Sequence, residues 1–161
     1  TAIGEEHLKQ LFLLTEKIVM CLDGDSAGLR AAKRAGEISL PLISAKKNLA
    51  FAFLPNQLDP DDFVRTFGAK ALEDIFQQSI PLSQSLFDFA LSDLKIASNK
   101  KISAEEKARL EMILNEKTNL ITDVSSKKHF SIFFRFFSTW VGKLEKTFFD
   151  QKFLKSFETN F

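Results

Sequence analysis

Two short acidic segments, Asp23-Gly24-Asp25 and Asp59-Pro60-Asp61, hold the residues of this chain best suited to chemistry. Carboxylates two residues apart in an extended stretch leave the backbone on the same side. Gly24 between the first two lets the chain turn with no side chain in the way. Brought together, Asp23, Asp25, Asp59 and Asp61 would repel one another strongly unless a cation lay among them, and an all-oxygen donor set suits Mg2+ or Mn2+. Mg2+ usually takes one or two carboxylates and shares its other positions with water and substrate phosphates. That pattern points to phosphoryl or nucleotidyl transfer. The same residues have a plainer reading as helix caps. Asp59 before Pro60 is a good N-cap, with Asp61 and Asp62 in the first turn where the helix dipole favours them. Asp25-Ser26 can cap the next helix in the same way. Either pair alone is ambiguous; the two together, each following a strand, favour a metal site.

The elements that must position these residues are legible as hydrophobic patterns. Residues 5–15 place Leu8, Leu11 and Phe12 at helical spacing. Lys17–Leu22 is a nearly continuous apolar run ending at Asp23, as a buried parallel strand would. From Ser26 to about Ser39, alanines at 27, 31, 32 and 35 suit a helix packed closely on a sheet. Leu49–Leu54 reads as a second strand stopping at Pro55. Strand, helix, strand over this length is a βαβ unit, and ligand sites gather at the C-terminal ends of such strands. No third strand is legible downstream. Two parallel strands cannot make a stable sheet alone, and the chain opens on Thr1. The expectation is a chain that lacks upstream strands: a fragment, or a partner of another polypeptide.

Beyond residue 60 the signals are helical. Gly68 can close one helix, and Ala69–Gln78 begins another. Pro81 starts a helix to about Ala97 that buries Leu82, Leu86, Phe89 and Leu94, and Ser98–Lys101 is a polar linker. Ser103 and Glu106 form a capping-box pair for a helix through Glu116. Residues 126–143 carry Phe130, Phe133, Phe134, Phe137, Trp140 and Val141 at helical spacing, with Leu144 just beyond; residues 145–161 are a last helix or a tail. The expected fold class is α/β plus all-α, divided as 1–78, 79–143 and 144–161.

Composition excludes several classes. No apolar run approaches the ~18 residues of a membrane span, and residues 1–15 carry Glu5, Glu6 and His7 where a signal peptide would be basic and then apolar. The single cysteine, Cys21, cannot form an internal disulfide, so a reducing cytoplasm is expected. Cys21, His7 and His129 lack ligand spacing from one another, so no zinc site is expected. A net charge of +1 does not advertise a self-contained nucleic-acid-binding module.

The stretch from Lys17 to Gly68 resembles the Toprim region of the DnaG-type bacterial primases. Its carriers are Asp23-Gly24-Asp25-Ser26-Ala27-Gly28 after an apolar strand, with Ala31-Ala32 on the helix that follows, and Leu54-Pro55 with Asp59-Pro60-Asp61-Asp62-Phe63-Val64-Arg65. Thr1–Gln10 resembles the segment before the strand. Ile80-Pro81-Leu82-Ser83 resembles the start of the primase helical subdomain, and a weaker likeness continues to about Gly142. The resemblance implies a partial Toprim sheet followed by a C-terminal helical subdomain. It implies Asp23, Asp25, Asp59 and Asp61 as metal ligands, with Asp23 and Asp25 catalytic, receiving the triphosphate of incoming nucleotides. It also implies RNA primer synthesis on single-stranded DNA, coupled to the replicative helicase through a domain absent from this sequence, and Ala27, Gly28, Ala31 and Ala32 as packing positions. Three departures stand out. The family's catalytic glutamate falls before Thr1, Leu29 replaces a common basic residue, and Gln57-Leu58 replaces a Gly-Lys or Gly-Glu pair. The zinc-binding domain and the basic half of the polymerase domain are also not in this sequence, so it is expected to be inactive alone. Type IA topoisomerases share the paired aspartates but usually carry a DPDREGE-like segment that is absent here. Another Toprim enzyme, a topoisomerase or nuclease relative, is one alternative; a non-enzymatic helical interaction module is the other.

Other residues have two readings. Arg30, Lys33 and Arg34 could face phosphates or template, or form a solvated helix face. Arg65 could reach the acidic site, or pair with a neighbouring aspartate. The 130–144 aromatic stripe resembles a base-stacking surface, but its spacing suits a core face. Phe148, Phe149, Phe153, Phe157 and Phe161 either dock on that core or mark a partner surface.

Overall fold

The computed structural model describes residues 3–55, 58–96 and 102–141. The helix α1 (Glu5–Leu14) buries Leu8 and Phe12 and leads into β1 (Lys17–Asp23). Then come α2 (Ser26–Ser39) and β2 (Asn48–Leu54), the strand, helix, strand order expected from the apolar runs. The strands β1 and β2 pair in parallel from Lys17 opposite Asn48 to Asp23 opposite Leu54. Parallel strands are stable only with covered faces, and α2 supplies one cover with the small residues Ala32, Ala35 and Gly36 on its buried side. Short side chains there let the helix axis approach the sheet.

The helices α3 (Pro60–Phe67) and α4 (Ala69–Gln77) meet at Gly68, whose φ of 83° suits glycine and ends α3. The absence of a third strand is the expectation the structure corrects. A two-residue β3 (Ile80–Pro81) pairs antiparallel with β2, Ile80 opposite Phe51 and Pro81 opposite Ala50. Pro81 has no N–H to continue a ladder, so the strand stops and α5 (Leu82–Asp93) starts one residue later than Pro81 suggested. That helix also ends earlier than expected, at Asp93, and Lys95 then takes a positive φ of 53°. The helix α6 (Ala104–Asn119) begins at the expected capping box. Ser103 Oγ accepts the Glu106 N–H at 3.1 Å and Glu106 Oε2 accepts the Ser103 N–H at 2.8 Å. The helix α7 (Val124–Trp140) starts two residues before Ser126, because Asp123 caps it by accepting the Ser126 N–H at 2.8 Å.

The core is continuous from sheet to helices. Phe51 of β2, Leu86 and Phe87 of α5, and Leu110 and Leu114 of α6 are essentially inaccessible to water; each such side chain stabilises the fold by about 1.5–3 kcal/mol. The aromatic stripe of α7 is a core face, as its spacing indicated. Phe134 is buried, while Phe130, Phe133, Phe137 and Val141 pack against the core. The Phe87 and Phe137 rings meet edge-on at 5.7 Å. Two exposed ion pairs, Lys33–Asp93 and Lys117–Glu37, join α2 to α5 and α6. Residue Leu144, the 98–101 linker, the 145–161 stretch with its phenylalanines and the Trp140 side chain lie outside the described residues. No described helix is long and apolar enough to cross a membrane.

One carboxyl is out of place in this apolar setting. Asp88 lies on α5 between the buried Phe87 and Phe89, and Gln84 Nε2–H donates to its Oδ1 at 3.0 Å. Burial pushes its pKa up to about 7, with the Gln84 hydrogen bond pulling the other way. A raised carboxyl value favours the neutral form in the folded state. Its stabilising contribution is therefore complete below the unfolded value of about 4 and is lost as pH rises toward 7. Asp88→Asn keeps the shape and still accepts from Gln84. It should stabilise the protein at pH 8 by on the order of 1–3 kcal/mol, with the gain vanishing near pH 4. Urea denaturation at both pH values measures this, and an equal gain at each would refute the assignment.

Candidate functional site

The strand β1 ends on Asp23, and β2 ends at Leu54, five residues before Asp59. Beyond the strand pairing, the Gly24 N–H donates to the Leu54 carbonyl at 3.1 Å, holding the first acidic turn beside the end of β2. No side chain fits there. A Cβ on Gly24 would lie 2.6 Å from the Leu54 oxygen, and one on Gly28 would lie 2.0 Å from the Asp23 carbonyl oxygen. The glycines thus allow α2 to fold back against the end of its own preceding strand.

Helix capping holds two of the four aspartates. Asp25 is the N-cap of α2, its Oδ1 accepting the Gly28 N–H at 2.7 Å. Asp59 is the N-cap of α3, its Oδ1 accepting the Asp62 N–H at 2.8 Å, with Pro60 in the first turn. The capping role raised from the sequence is therefore observed at both positions. Each cap uses one acceptor position of a carboxylate that has several, so the remaining lone pairs are free. Asp23 and Asp61 are exposed and form no hydrogen bond or ion pair with any described residue.

The two segments follow neighbouring strands, but they do not form a closed cage. Among the described residues, no three histidine, cysteine, aspartate or glutamate side chains gather closely enough to hold a metal ion. The donor chemistry nonetheless suits Mg2+, which binds one or two carboxylates and keeps water or phosphate for the rest. Two of the carboxylates are held by backbone N–H groups and two are unpaired, so the segments fit a metal shared with a phosphate better than one enclosed by protein.

The neighbouring cations serve structure. Arg65 pairs with Asp62, the duller of its two readings. Arg30 Nη1 donates to Ser26 Oγ at 3.2 Å, and Lys33 is committed to Asp93 while lying 5.8 Å over the Phe89 ring. Arg34 is exposed. Burial pushes the Cys21 thiol up, and the nearby Asp23 charge adds to the shift; a thiol held protonated is a poor nucleophile. His7 accepts the Gly4 N–H through Nδ1 at 3.2 Å at the start of α1.

A Toprim-like family model matches residues 1–64. The DNA primase of Rickettsia typhi is 37% identical over 135 residues, which is 84% of this chain and 22% of that protein. A DNA primase domain from Pseudomonas aeruginosa is 32% identical with a TM-score of 0.73, covering 90% of this chain and 43% of that one. A DnaG primase catalytic domain bound to single-stranded DNA is 29% identical with a TM-score of 0.75, covering 84% of this chain and 42% of that one. The chain thus spans about a quarter of the length of the primases it matches.

The caps and glycines make separable predictions. Asp25→Ala should cost about 1 kcal/mol through loss of the α2 cap, and Asp25→Asn only a small fraction of that. Gly28→Ala should cost more, about 1–3 kcal/mol, because its Cβ meets backbone that cannot move aside cheaply. Chemical denaturation of the three variants ranks them; a neutral Gly28→Ala would mean the β1–α2 turn is looser than described.

Proposed function

The chain belongs to the DnaG-type bacterial primases, as their Toprim region with the helices that follow it, and we propose that it supplies the metal-binding carboxylates for RNA primer synthesis. The observation that supports this reading is that Asp23-Gly24-Asp25 closes β1 while Asp59-Pro60-Asp61 follows β2, whose C-terminal Leu54 pairs opposite Asp23. In this reading Asp23 and Asp25 are catalytic, and all four aspartates contribute metal ligands. The reaction is nucleotidyl transfer by a DNA-directed RNA polymerase, with nucleoside triphosphates and single-stranded DNA as partners. A replicative helicase would be engaged through other parts of the longer protein, within a primosome in the cytoplasm.

Each residue has a task in this scheme. The caps at Asp25 and Asp59 orient two carboxylates while leaving lone pairs for a cation. Asp23 and Asp61 add unpaired negative charge beside them. Gly24 lets the first acidic turn lie against the Leu54 carbonyl, where a side chain would clash. A bound Mg2+ or Mn2+ would neutralise the phosphate oxygens and stabilise the charge that develops during transfer. Because the chain is about a quarter of the primases it matches, priming is an activity of the longer protein, and the isolated chain should bind metal without making primers.

Two measurements test the reading. Titrating the chain with Mn2+ should broaden the NMR signals of residues 23–25 and 59–61 ahead of the rest; untouched signals there would leave only the capping role. In a polymerase domain containing this segment, Asp23→Asn or Asp25→Asn should lower primer synthesis on single-stranded DNA at least about a hundredfold while the fold persists, the scale of several kcal/mol of lost charge stabilisation. Retained synthesis would sink the catalytic assignment.

A further inference from the structure

A second concave site lies at the other end of the sheet. Where β1 and β2 begin, a cavity of about 450 Å3 opens between the strand starts, the segment around β3 and the first turns of α7. That is within the size range of small-molecule sites. Its buried floor is apolar, formed by Ile43, Leu49 and Leu82, with the half-buried Phe130 ring on one side. Its rim carries Lys17, Lys47 and His129.

The charge pattern selects the ligand. No aspartate or glutamate is among the lining residues. The side chains of Lys17 and His129 form no ion pair or hydrogen bond with a described residue, and Lys47 lies 5.9 Å over the Phe12 ring instead of pairing with a carboxylate. Two carboxylates stand near the rim in sequence: Glu16, exposed beside Lys17 but not among the lining residues, and Asp123, which caps α7 and is held below its ordinary pKa by the Ser126 N–H. The hydroxyls of Ser79 and Ser83 also line the cavity, half-buried and without a described hydrogen-bond partner, although Ser83 sits in the first turn of α5. Two ammonium groups match a dianion better than a singly charged carboxylate, and free hydroxyls supply donors to its oxygens. The positive end of α7 adds to the same field.

We propose that this cavity binds a small phosphorylated organic molecule, its phosphate held by Lys17, Lys47 and His129 and its apolar or aromatic body lying on Leu49, Leu82 and Phe130. The site is separate from the first acidic pair, which lies at the opposite end of β1.

The test uses the whole chain in metal-free buffer, titrated separately with AMP, inorganic phosphate and adenosine while backbone amide NMR signals are followed. AMP should shift the signals of Ser44, Ser126 and His129 at millimolar concentration and leave residues 23–25 in place. Inorganic phosphate and adenosine, each lacking half of the ligand, should bind about tenfold more weakly or worse. The exposed positions permit Lys17→Gln with His129→Gln, which should weaken AMP about tenfold with an unchanged melting temperature. If that pair lowers the melting temperature, Lys17→Gln alone is used and should still weaken AMP. Unmoved cavity signals, phosphate or adenosine binding as well as AMP, or a folded variant binding AMP as the parent does would each overturn the proposal.

Discussion

A close approach between a helix and the end of its own preceding strand governs much of this structure. Gly28, in the first turn of α2, lies so near the Asp23 carbonyl that even a methyl group would overlap it. Because the turn is that tight, α2 runs back along the sheet with Ala32, Ala35 and Gly36 buried. Gly36 then admits α5, since a Cβ there would stand 3.2 Å from a Leu82 methyl carbon. The α2–α5 ion pair between Lys33 and Asp93 decorates this packing from the exposed side and contributes little by comparison. The order of dependence runs from backbone sterics to helix placement to core.

The same turn explains why capping and cation binding need not compete at the aspartates. A helix N-cap must lie where the first N–H groups of the helix point, and α2 starts immediately beyond β1. Asp25 therefore stands at the strand end and at the helix start at once, its orientation set by the Gly28 N–H. Asp59 repeats the capping at α3, five residues beyond β2. A carboxylate held by one backbone N–H has lost side-chain freedom but keeps most of its acceptor capacity. Capping thus preorganises the donors that a cation would need, and it lowers the entropy cost of holding them in place.

What could be read from the sequence follows the range of the interactions involved. The two long strands are continuous apolar runs, α2 shows its buried face in alanine spacing, and the caps at Ser103 and Asp59 are local patterns within four residues. All are visible without tertiary structure. The strand β3 is not, because two residues carry no periodicity and Ile80–Pro81 becomes a strand only through pairing with Phe51 and Ala50. The early start of α7 turns on Asp123 acting as its cap, one of several polar residues that could have served. Asp88 reads in sequence as an ordinary helix-surface carboxylate. Only the folded arrangement shows that it is half-buried, with its pKa raised by that burial. At the acidic segments, motif and topology were legible, but the actual separation of the carboxylates was not, since it depends on how far α3 stands from the turn after β1.

A net charge of +1 hides a strong division along the sheet. Asp23 and Asp25 stand where β1 finishes, and Asp59 and Asp61 follow β2 by five and seven residues, while the ends where the strands begin carry Lys17 and Lys47 with Glu16 beside them. The strands are only seven residues long, so the two poles are roughly 20 Å apart at about 3.3 Å per residue. That distance exceeds the screening length of about 8 Å at physiological ionic strength. Across solvent the two poles are therefore nearly independent, and neither neutralises the other. Charge summed over a chain measures partner preference only when the charges share one surface; here the sheet separates them, and each end must be judged by the groups that face it.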